Sequence, residues 1–505
     1  MTSNNVTLVA YLFDNWTNAA FNLESYSILE DGHEPLTYAM LIERVRTGAL
    51  LLHRRGIRRG DRVALLMPRS TNQILWILSV MSVGACVCPM EPNLPEEELH
   101  RRFKVTGICA VLYSGDACPL SVCESIVSNL CWSVDHVSLS EPTPNNGFSL
   151  GQWEADDPAL LLFTSGSTGA AKGVILSQSN LLANAKGVIE HSGLNAHDRF
   201  LNVMPLYHSN SLNNQLFAPL LVGASIVLCP QFRAELIRQW LEQWKPTVVT
   251  GVPTMFNRLL RQEFSKDSWK SVRLVRCGSG PMSTAQQELI EKHLGCELLI
   301  SYGLSEATCT STMNPPGCRK IGSVGTVLAG QHVTLLDENG GPVEVPGKEG
   351  EICITGPTVM SGYVTVDGVV EPVGIDGIRS GDFGFFDEDG YLFITGRLKE
   401  IIIRGGENLS PIRLESALFE CPGVLNACVV GAPHPDLGEV AVACVVRDPN
   451  CLVEKVAVMR FVEARLGRLY RPADILWFDA IAENSTGKVD RKGMARIVTS
   501  KWAAT

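Results

Sequence analysis

The sequence predicts an α/β fold with more than one domain, and three observations support this. At 505 residues, the chain is too long for one simple core. Short apolar runs alternate with helical patterns over most of its length, as in doubly wound parallel sheets. Towards the C-terminal end the pattern changes to short strands between Gly-rich turns, and then to mixed helix and strand. We therefore expect a large N-terminal domain of doubly wound sheets plus a β segment, followed by a small α+β C-terminal domain.

Individual elements follow from the same patterns. The predicted strands are Val63–Met67, Ala85–Cys88, Ala159–Phe163, Gly173–Leu176, Ser225–Cys229, Val248–Gly251 and Ser271–Cys277. The predicted helices are Asn72–Val83, Ala234–Trp244 and Pro411–Phe419. We place the domain boundary after Gly396, which gives an N-terminal domain of residues 1–396 and a C-terminal domain of residues 397–505.

Bulk composition excludes several classes of protein. The net charge of −10 implies no general affinity for nucleic acid or anionic membranes. The sixteen cysteines are scattered through apolar runs without zinc spacing, so we interpret them as buried thiols in a reducing, cytoplasmic compartment. The N-terminus lacks a basic region typical of a signal peptide. The apolar run Ile74–Met90 is short for a membrane span, and a buried helix leading into a strand is the better interpretation.

The strongest functional signal is the segment Phe163–Val174, FTSGSTGAAKGV. Its small residues let backbone NH groups approach phosphate oxygens, and its lysine neutralises charge. The candidate nucleotide-binding residues are Thr164, Ser165, Gly166, Ser167, Thr168, Gly169 and Lys172. Because Gly173 follows the lysine where a Walker loop has Ser or Thr, this is not a Walker loop. A strand–GxGxxG–helix order is also missing, and the plain alternative is a flexible hairpin loop.

Four further motifs follow this loop in the chain: CGSGP at Cys277–Pro281, SYGLSE at Ser301–Glu306, RSGD at Arg379–Asp382 and NSTGKVDR at Asn484–Arg491. Together with the loop they resemble the adenylate-forming superfamily, which comprises acyl-CoA synthetases, peptide-synthetase adenylation domains and luciferases. The resemblance covers nearly the whole chain and departs at Ala171, where the family usually has proline. It implies that ATP activates a carboxylic acid as an acyl-adenylate with release of pyrophosphate, before the acyl group passes to an acceptor.

The resemblance assigns roles around the nucleotide. Tyr302 would stack on adenine, Ser305 would contact the α-phosphate, and Glu306 would hold Mg²⁺. Asp382 would bind the ribose hydroxyls, with a further ribose contact from Arg397. Lining of the adenine and acyl pockets would come from Cys277, Gly278, Ser279, Gly280 and Gly303. Taken alone, Glu306 could also be an acid at a helix N-terminus, and the other motifs could be ordinary turns.

The C-terminal motif would supply the catalytic cation. By the resemblance, Lys488 would bridge the incoming carboxylate and the α-phosphate, and Lys399 would be the hinge of a mobile C-terminal domain. That domain would then present Gly405 and Gly406 as a narrow channel for the acceptor. A carboxylate is already ionised at neutral pH and needs no general base, so cations aimed at the α-phosphate should dominate catalysis. A surface lysine and a tight turn are the plain alternatives.

The segment Met204–Asn214, MPLYHSNSLNN, bears on the identity of the acid. By the resemblance, His208 would line the acyl pocket near the reacting groups, and Asn210 and Asn214 would give it a partly polar wall. We find no aspartate here that could pair with a substrate amine, so the acid is predicted not to be an α-amino acid. His208 could instead be a hydrogen-bonded core residue.

The acceptor is predicted less sharply. The RGGEN segment favours CoA, whereas GKVDRK near the end is similar to peptide synthetases. Only seventeen residues follow Lys488, so we expect no fused carrier domain. The alternatives are an amide ligase similar to coronafacate ligase, which would use a free amino acid, and a silent nucleotide-binding protein on the same fold. An oxidative luciferase is a minor possibility because it would use the same residues for its first half-reaction.

Overall fold

The computed structural model describes residues 7–115, 130–140, 153–165, 171–265, 267–365, 368–449, 451, 453–484 and 488–502. Its strands, in chain order, are β1 (Tyr26–Glu30), β2 (Leu36–Thr37), β3 (Arg62–Leu66), β4 (Cys86–Pro89), β5 (Ala110–Tyr113), β6 (Cys131–Ser133), β7 (Pro158–Ser165), β8 (Ala171–Ser177), β9 (Arg199–Asn202), β10 (Ser225–Leu228), β11 (Val248–Gly251), β12 (Leu274–Cys277), β13 (Leu298–Tyr302), β14 (Thr312–Met313), β15 (Thr326–Val327), β16 (His332–Leu336), β17 (Gly350–Thr355), β18 (Gly362–Val364), β19 (Val370–Pro372), β20 (Ile378–Phe386), β21 (Leu392–Arg397), β22 (Ile402–Arg404), β23 (Glu407–Leu409), β24 (Val424–His434), β25 (Gly438–Arg447) and β26 (Asp474–Trp477).

Helices separate most of these strands. The α-helices are Leu8–Thr17, Tyr38–Arg54, Thr71–Ser82, Glu96–Thr106, Gln178–Ser192, Ala218–Val222, Ala234–Trp244, Pro253–Leu259, Thr284–Leu294, Pro411–Glu420, Lys455–Leu466 and Arg491–Trp502. Short 3₁₀ turns occur at Ser305–Ala307, Leu398–Glu400 and Arg468–Tyr470, and Asn210–Phe217 is a π-helix.

Two large sheets form the N-terminal part, as the α/β prediction requires. One has the order β15-β14-β13-β12-β11-β9-β10-β1-β2, and the other the order β19-β18-β8-β7-β4-β3-β5-β6. In the first, β1, β10, β9, β11, β12 and β13 run parallel. One hydrophobic cluster contains buried side chains from both sheets, including Phe200 and Leu160. The fold class is therefore confirmed.

Most of the predicted elements lie within a residue or two of their positions in the structure. The helix Ala234–Trp244 has the predicted bounds, and the predicted helix Asn72–Val83 is observed at Thr71–Ser82. The run Ile74–Met90 is a buried helix followed by β4. Among the described residues, no helix has both the length and the apolar character needed to cross a membrane. The predicted strand at Ser271 begins only at Leu274, and Arg273, directly before it, pairs with buried Asp198 (2.5 Å).

Two smaller sheets complete the fold. The antiparallel sheet β16-β17-β20-β21 corresponds to the predicted β segment. The last sheet has the order β23-β22-β25-β24, with β26 parallel to β25. The helices Pro411–Glu420 and Lys455–Leu466 contribute to one hydrophobic cluster of this sheet, and the helix Arg491–Trp502 contributes to another.

In the described part of the chain thirteen cysteines are free thiols, and most of these are buried, which matches the interpretation made from the sequence. Burial raises the pKa of Cys86 and Cys229 to about 12, so these thiols remain protonated and unreactive at neutral pH. Cys131 is not among these free thiols.

Arg491 ties the C-terminal helix to the rest of its sheet. Its guanidinium pairs with Glu415 (2.5 Å) and with Glu400 (3.0 Å), and it donates to the carbonyl of Val429 (2.6 Å). Glu415 also accepts from the backbone NH of Val429 (2.7 Å). Glu415 is buried. The ion pair between Arg491 and Glu415 is therefore shielded from water and is fixed by the hydrogen bonds of both side chains to Val429.

We predict that Arg491→Met destabilises the protein by about 3 kcal/mol, because loss of one partner leaves a buried carboxylate without its cation. Urea unfolding monitored by circular dichroism measures the effect. Arg496→Met, on the exposed side of the same helix, is the matched control and should change stability by less than about 0.5 kcal/mol. Equal effects from the two variants would contradict a structural role for Arg491.

Candidate functional site

A cavity of about 60 Å³ lies at the carboxyl ends of β12 and β13. In parallel α/β sheets, ligands bind outside this end of the strands. Among the predicted site residues, those that line the cavity are Asn210, Gly278, Ser279, Tyr302, Gly303, Ser305 and Lys488. Residues not predicted from the sequence also line it, namely Ser209, Ser301, Leu304, Cys309 and Thr310. Residues from distant parts of the chain therefore meet at one place.

The cavity wall is tightly packed backbone. A Cβ at Gly278 would lie 2.5 Å from the hydroxyl oxygen of Ser301, and one at Gly303 would overlap the carbonyl of Cys309. Ser279 and Thr308 have positive φ angles of 67° and 68°, which are unfavourable for residues with a Cβ. Backbone strain of this kind concentrates at functional sites.

Asp382 lies between Arg397, a predicted ribose-binding residue, and Tyr302, which is predicted to stack on adenine. It lies opposite Arg397 across β20 and β21, and the Arg397 Nε donates to its carboxylate at 2.5 Å. The Tyr302 hydroxyl donates to the other carboxylate oxygen at 2.8 Å. Asp382 is 4% exposed. Its hydrogen bond raises the pKa of Arg397, so the guanidinium stays charged, and the Asp382 carboxyl group keeps lone pairs for further donors.

Tyr363, which the sequence did not suggest, contacts both Lys172 and Glu306. Lys172 lies over the ring of Tyr363, with 4.8 Å between its ammonium and the ring centroid. The Tyr363 hydroxyl donates to the Glu306 carboxylate at 3.0 Å. Burial, and then the charge of Glu306, raise the pKa of Tyr363, so the hydroxyl remains a donor. Tyr363 reaches this position because β18 pairs with β8.

The remainder of the loop is described only in part. Thr164 and Ser165 end β7 and pair with Lys172 and Ala171 of β8, so the loop joins an antiparallel hairpin. The predicted residues Gly166, Ser167, Thr168 and Gly169 lie outside the described residues.

Lys488 lies in the turn between Asn484 and Val489. Its backbone NH donates to the Asn484 side chain (3.0 Å), and its carbonyl accepts from the Asn484 NH (2.8 Å). The residue as a whole is exposed, yet its side chain lines the cavity. Burial of the ammonium group, followed by repulsion from Arg397, lowers the pKa of Lys488.

A salt bridge connects the two parts of the chain next to this turn. Glu483 pairs with Arg258 of the helix Pro253–Leu259 at 2.6 Å. It joins the C-terminal segment to the N-terminal part in the arrangement that brings Lys488 to the cavity.

Buried polar side chains surround the π-helix Asn210–Phe217. Asn214 donates to the hydroxyl of Thr310 (2.8 Å) and to the Cys309 thiol (3.1 Å), so it supports two lining residues from behind. His208 lies just before this helix, and its Nε2 is buried with no hydrogen-bond partner among the described residues. Burial, and then the charge of Lys488, lower the pKa of His208 to about 3, so the ring is neutral at physiological pH. π-helical segments occur frequently at functional sites.

Other predicted residues lie outside the cavity lining. The Cys277 side chain packs in a hydrophobic cluster with Phe256, and only its carbonyl reaches Ser301 (3.3 Å). Gly280 packs near Pro253. Lys399 belongs to the 3₁₀ turn Leu398–Glu400.

The two predicted channel glycines form a turn. Gly405 and Gly406 join β22 to β23 with positive φ angles of 59° and 89°. They are not among the lining residues of the cavity. A role for them would require a different arrangement of the C-terminal sheet.

Comparisons with known proteins agree with this geometry. The family model for AMP-binding enzymes matches residues 16–364, and the model for the AMP-binding enzyme C-terminal domain matches residues 413–488. A sulfoacetate–CoA ligase from Cupriavidus necator is 32% identical, with 92% of this chain and 93% of that protein aligned. A feruloyl-CoA synthase from an Amycolatopsis species is 30% identical, with 91% and 93% aligned.

Solved structures share the whole fold. ATP-bound MatB from Rhodopseudomonas palustris superimposes with a TM-score of 0.87 at 27% identity, over 99% of this chain and 100% of that one. The amide bond synthetase McbA from Marinactinospora thermotolerans has a TM-score of 0.86 at 24% identity, over 97% and 99%, which shows a common fold alone. The chain therefore belongs to the AMP-binding enzyme family, as an adenylate-forming ligase of the superfamily that its motifs resemble.

Proposed function

We propose that this protein activates a carboxylic acid as an acyl-adenylate at the cavity described above and then transfers the acyl group to CoA. One observation carries the proposal. The ammonium group of Lys488 enters a cavity lined by Tyr302 and Ser305, next to the Asp382–Arg397 pair. This places a cation beside the groups proposed to hold ATP.

The proposed nucleotide contacts follow from the geometry. Asp382 accepts from the ribose hydroxyls, Tyr302 packs on adenine, and the wall around Gly278 and Ser279 allows a close approach of the base. The hydroxyl of Ser305 and the ammonium of Lys172 face the phosphates. Tight backbone packing at Gly278 excludes a side chain there and keeps the pocket open to a planar group.

A Mg²⁺ ion fits a site of this kind. Among the described residues no group of three His, Cys, Asp or Glu side chains could hold a metal ion. In nucleotide enzymes Mg²⁺ takes one or two carboxylates together with substrate phosphates. Glu306 is the proposed ligand, oriented by the Tyr363 hydroxyl. When bound, the ion would neutralise phosphate charge.

In the first half-reaction, a carboxylate oxygen of the acid bonds to the α-phosphorus. The bond from that phosphorus to the bridging oxygen breaks, and pyrophosphate leaves. Lys488 stabilises the negative charge shared by the carboxylate and the α-phosphate, which is greatest in the transition state. In the second half-reaction the CoA thiol releases its proton to solvent and its sulfur bonds to the acyl carbon. The bond from that carbon to the phosphate oxygen breaks, and AMP leaves.

The acceptor step requires a second arrangement of the protein. We infer a boundary between residues 396 and 397, with Lys399 as the hinge. Rotation of residues 397–505 would withdraw Lys488 and bring Gly405 and Gly406 to the acyl-adenylate. CoA is favoured because the aligned relatives are named CoA ligases or synthases. Those relatives act on acids as different as sulfoacetate and ferulate, so the family alone does not select the acid.

We predict that Lys488→Ala lowers acid-dependent exchange of pyrophosphate into ATP by about 10²-fold or more, because the cation contributes in the transition state. Lys492→Ala, an exposed lysine in the next helix, is the control and should retain activity. Normal exchange in the Lys488 variant would remove this residue from the mechanism.

The lowered pKa of Lys488 predicts an alkaline limit to adenylation. The group acts as a cation, so the maximal rate should fall as pH rises through a pKa below the ordinary value for lysine. The fall should be absent from the residual activity of Lys488→Ala. Pyrophosphate release at saturating substrates, with circular dichroism at each pH to exclude unfolding, measures it. A wild-type rate that is constant up to about pH 10 would contradict the assigned environment.

Mass spectrometry of the products identifies the acceptor. The protein is supplied with ATP, Mg²⁺ and a panel of aryl, alkyl and dicarboxylic acids, with either CoA or free amino acids. We expect acyl-CoA and AMP. An amide formed without CoA would identify an amide ligase instead. Absence of pyrophosphate with every acid would favour a silent nucleotide-binding protein.

A further inference from the structure

A row of polar side chains crosses the interior face of the larger sheet. Thr250 of β11 is paired in register with Arg276 of β12, so their side chains point to the same face. Extending the β11–β9 register by one residue places Asn202 beside Thr250. The Asn202 side chain contacts the π-helix through Ser211 (3.1 Å) and the carbonyl of Gln215 (3.3 Å). The row therefore lies beneath the π-helix that lines the candidate site.

Arg276 is a buried cation with two unpaired nitrogen atoms. Its residue is 1% exposed, and its Nε and Nη1 atoms have no hydrogen-bond partner among the described residues. In the described part of the chain no carboxylate shifts its pKa, which burial lowers to about 10. The group therefore remains charged at neutral pH. A buried charge with no counter-ion costs several kcal/mol, so this position is unfavourable for folding alone.

Other buried polar atoms, including that of Thr250 beside Arg276, are also incompletely hydrogen-bonded. Buried side-chain oxygens with no partner among the described residues include those of Thr250, Ser311, Asn213, Asn214 and Gln215. These residues belong to the same sheet face, the π-helix and the segment after Cys309. Buried polar groups in folded proteins are nearly always satisfied, so these atoms are available to hydrogen-bond a polar ligand.

Cys309 connects Arg276 to the catalytic cavity. Its side chain lines that cavity together with Lys488. Burial raises the pKa of the Cys309 thiol, and the charges of both Arg276 and Lys488 oppose that rise. Arg276 is the penultimate residue of β12, and Gly278 and Ser279, which directly follow this strand, line the cavity, so Arg276 belongs to the part of the strand next to it.

We propose that Arg276 binds a second anionic group of the acid substrate, a carboxylate or a sulfonate, so that the preferred substrates are short dianionic acids. This inference rests on the proposed adenylation function. Lys488 acts on the carboxylate that is adenylated, and Arg276 holds the opposite end of the molecule, with the Thr250 hydroxyl as a further donor. A monocarboxylic acid leaves the guanidinium unpaired, and a site built around a buried polar group discriminates strongly against ligands that lack its partner.

Matched acids test the proposal. Succinate is compared with butanoate, and malonate with propanoate, by acid-dependent pyrophosphate release from the full chain. We expect kcat/KM to be about 10²-fold or more higher for the dianion of at least one pair. Arg276→Met should abolish that preference while keeping turnover of the monocarboxylate, and Arg276→Lys should retain part of it. Thr250→Val should reduce the preference about tenfold.

Stability gives a second readout. Without acid, Arg276→Met should raise Tm, because it removes an unpaired buried charge. Malonate or succinate should raise the Tm of the wild-type protein and leave that of Arg276→Met unchanged. If Arg276→Met does not fold, the Arg276→Lys and Thr250→Val variants still measure the preference.

The outcomes separate the two proposals. Turnover of monocarboxylates at rates equal to their matched dianions, or a preference that Arg276→Met leaves intact, overturns the role of Arg276 and leaves adenylation standing. Absence of pyrophosphate with every acid, including aryl and long alkyl acids, overturns adenylation itself.

Discussion

The structure depends on one electrostatic constraint, which is that a carboxylate must approach a polyphosphate in a chain whose net charge is −10. The overall field of the protein opposes this encounter, so the cations must be local. Lys172 lies on β8 and Arg397 on β21, in two different sheets, and Lys488 of the C-terminal segment lines the cavity. Asp382 orients Arg397 and the ring of Tyr363 lies under Lys172, and preorganised charges of this kind are the main source of electrostatic catalysis.

Among these cations, Lys488 is the one whose charge its surroundings oppose. Its ammonium group loses water and faces Arg397, and both effects oppose its charge. The surrounding structure compensates through the Arg258–Glu483 pair and through Arg491, which joins its helix to Glu415 and to Glu400 beside the proposed hinge. A cation held against repulsion is available to stabilise negative charge as soon as the substrates arrive. In the proposed rotation of residues 397–505 it would be withdrawn once that charge has gone.

The cavity itself is built from backbone more than from side chains. At Gly278 and Gly303 there is no room for a Cβ. Ser279 and Thr308 have strained backbone conformations with positive φ angles. The row of polar side chains that includes Thr250 and Arg276 differs, because some of its donors and acceptors are unpaired. The backbone-lined cavity thus suits a nucleotide, which every member of the family shares. The polar row suits a feature of the particular acid.

Much of the fold could be predicted because local patterns agree with the final packing. The helix Ala234–Trp244 is strongly amphipathic, and strands such as Val248–Gly251 are short apolar runs between helices. Many of the predicted site residues, among them Tyr302, Ser305 and Lys488, meet at one cavity, although their chemical roles remain proposals. The glycines of the loop lie outside the described residues.

What the sequence did not reveal depends on contacts between distant residues. Tyr363 has no local pattern that connects it to Glu306, since only the pairing of β18 with β8 brings them together. Arg276 stands between the apolar residues Val275 and Cys277 in the sequence. From this pattern alone, a buried arginine cannot be distinguished from one on the exposed face of a strand. Its burial becomes evident only from the packing of the π-helix over the sheet.

The most direct test of the central claim follows oxygen through the reaction. An acid that turns over is labelled with oxygen-18 in its carboxyl group and incubated with ATP, Mg²⁺ and CoA, and the nucleotide product is examined by mass spectrometry. Attack of the carboxylate on the α-phosphorus predicts AMP that carries one oxygen-18 atom, with unlabelled pyrophosphate. Formation of ADP with the label in inorganic phosphate would place the attack at the γ-phosphorus and contradict the adenylation mechanism.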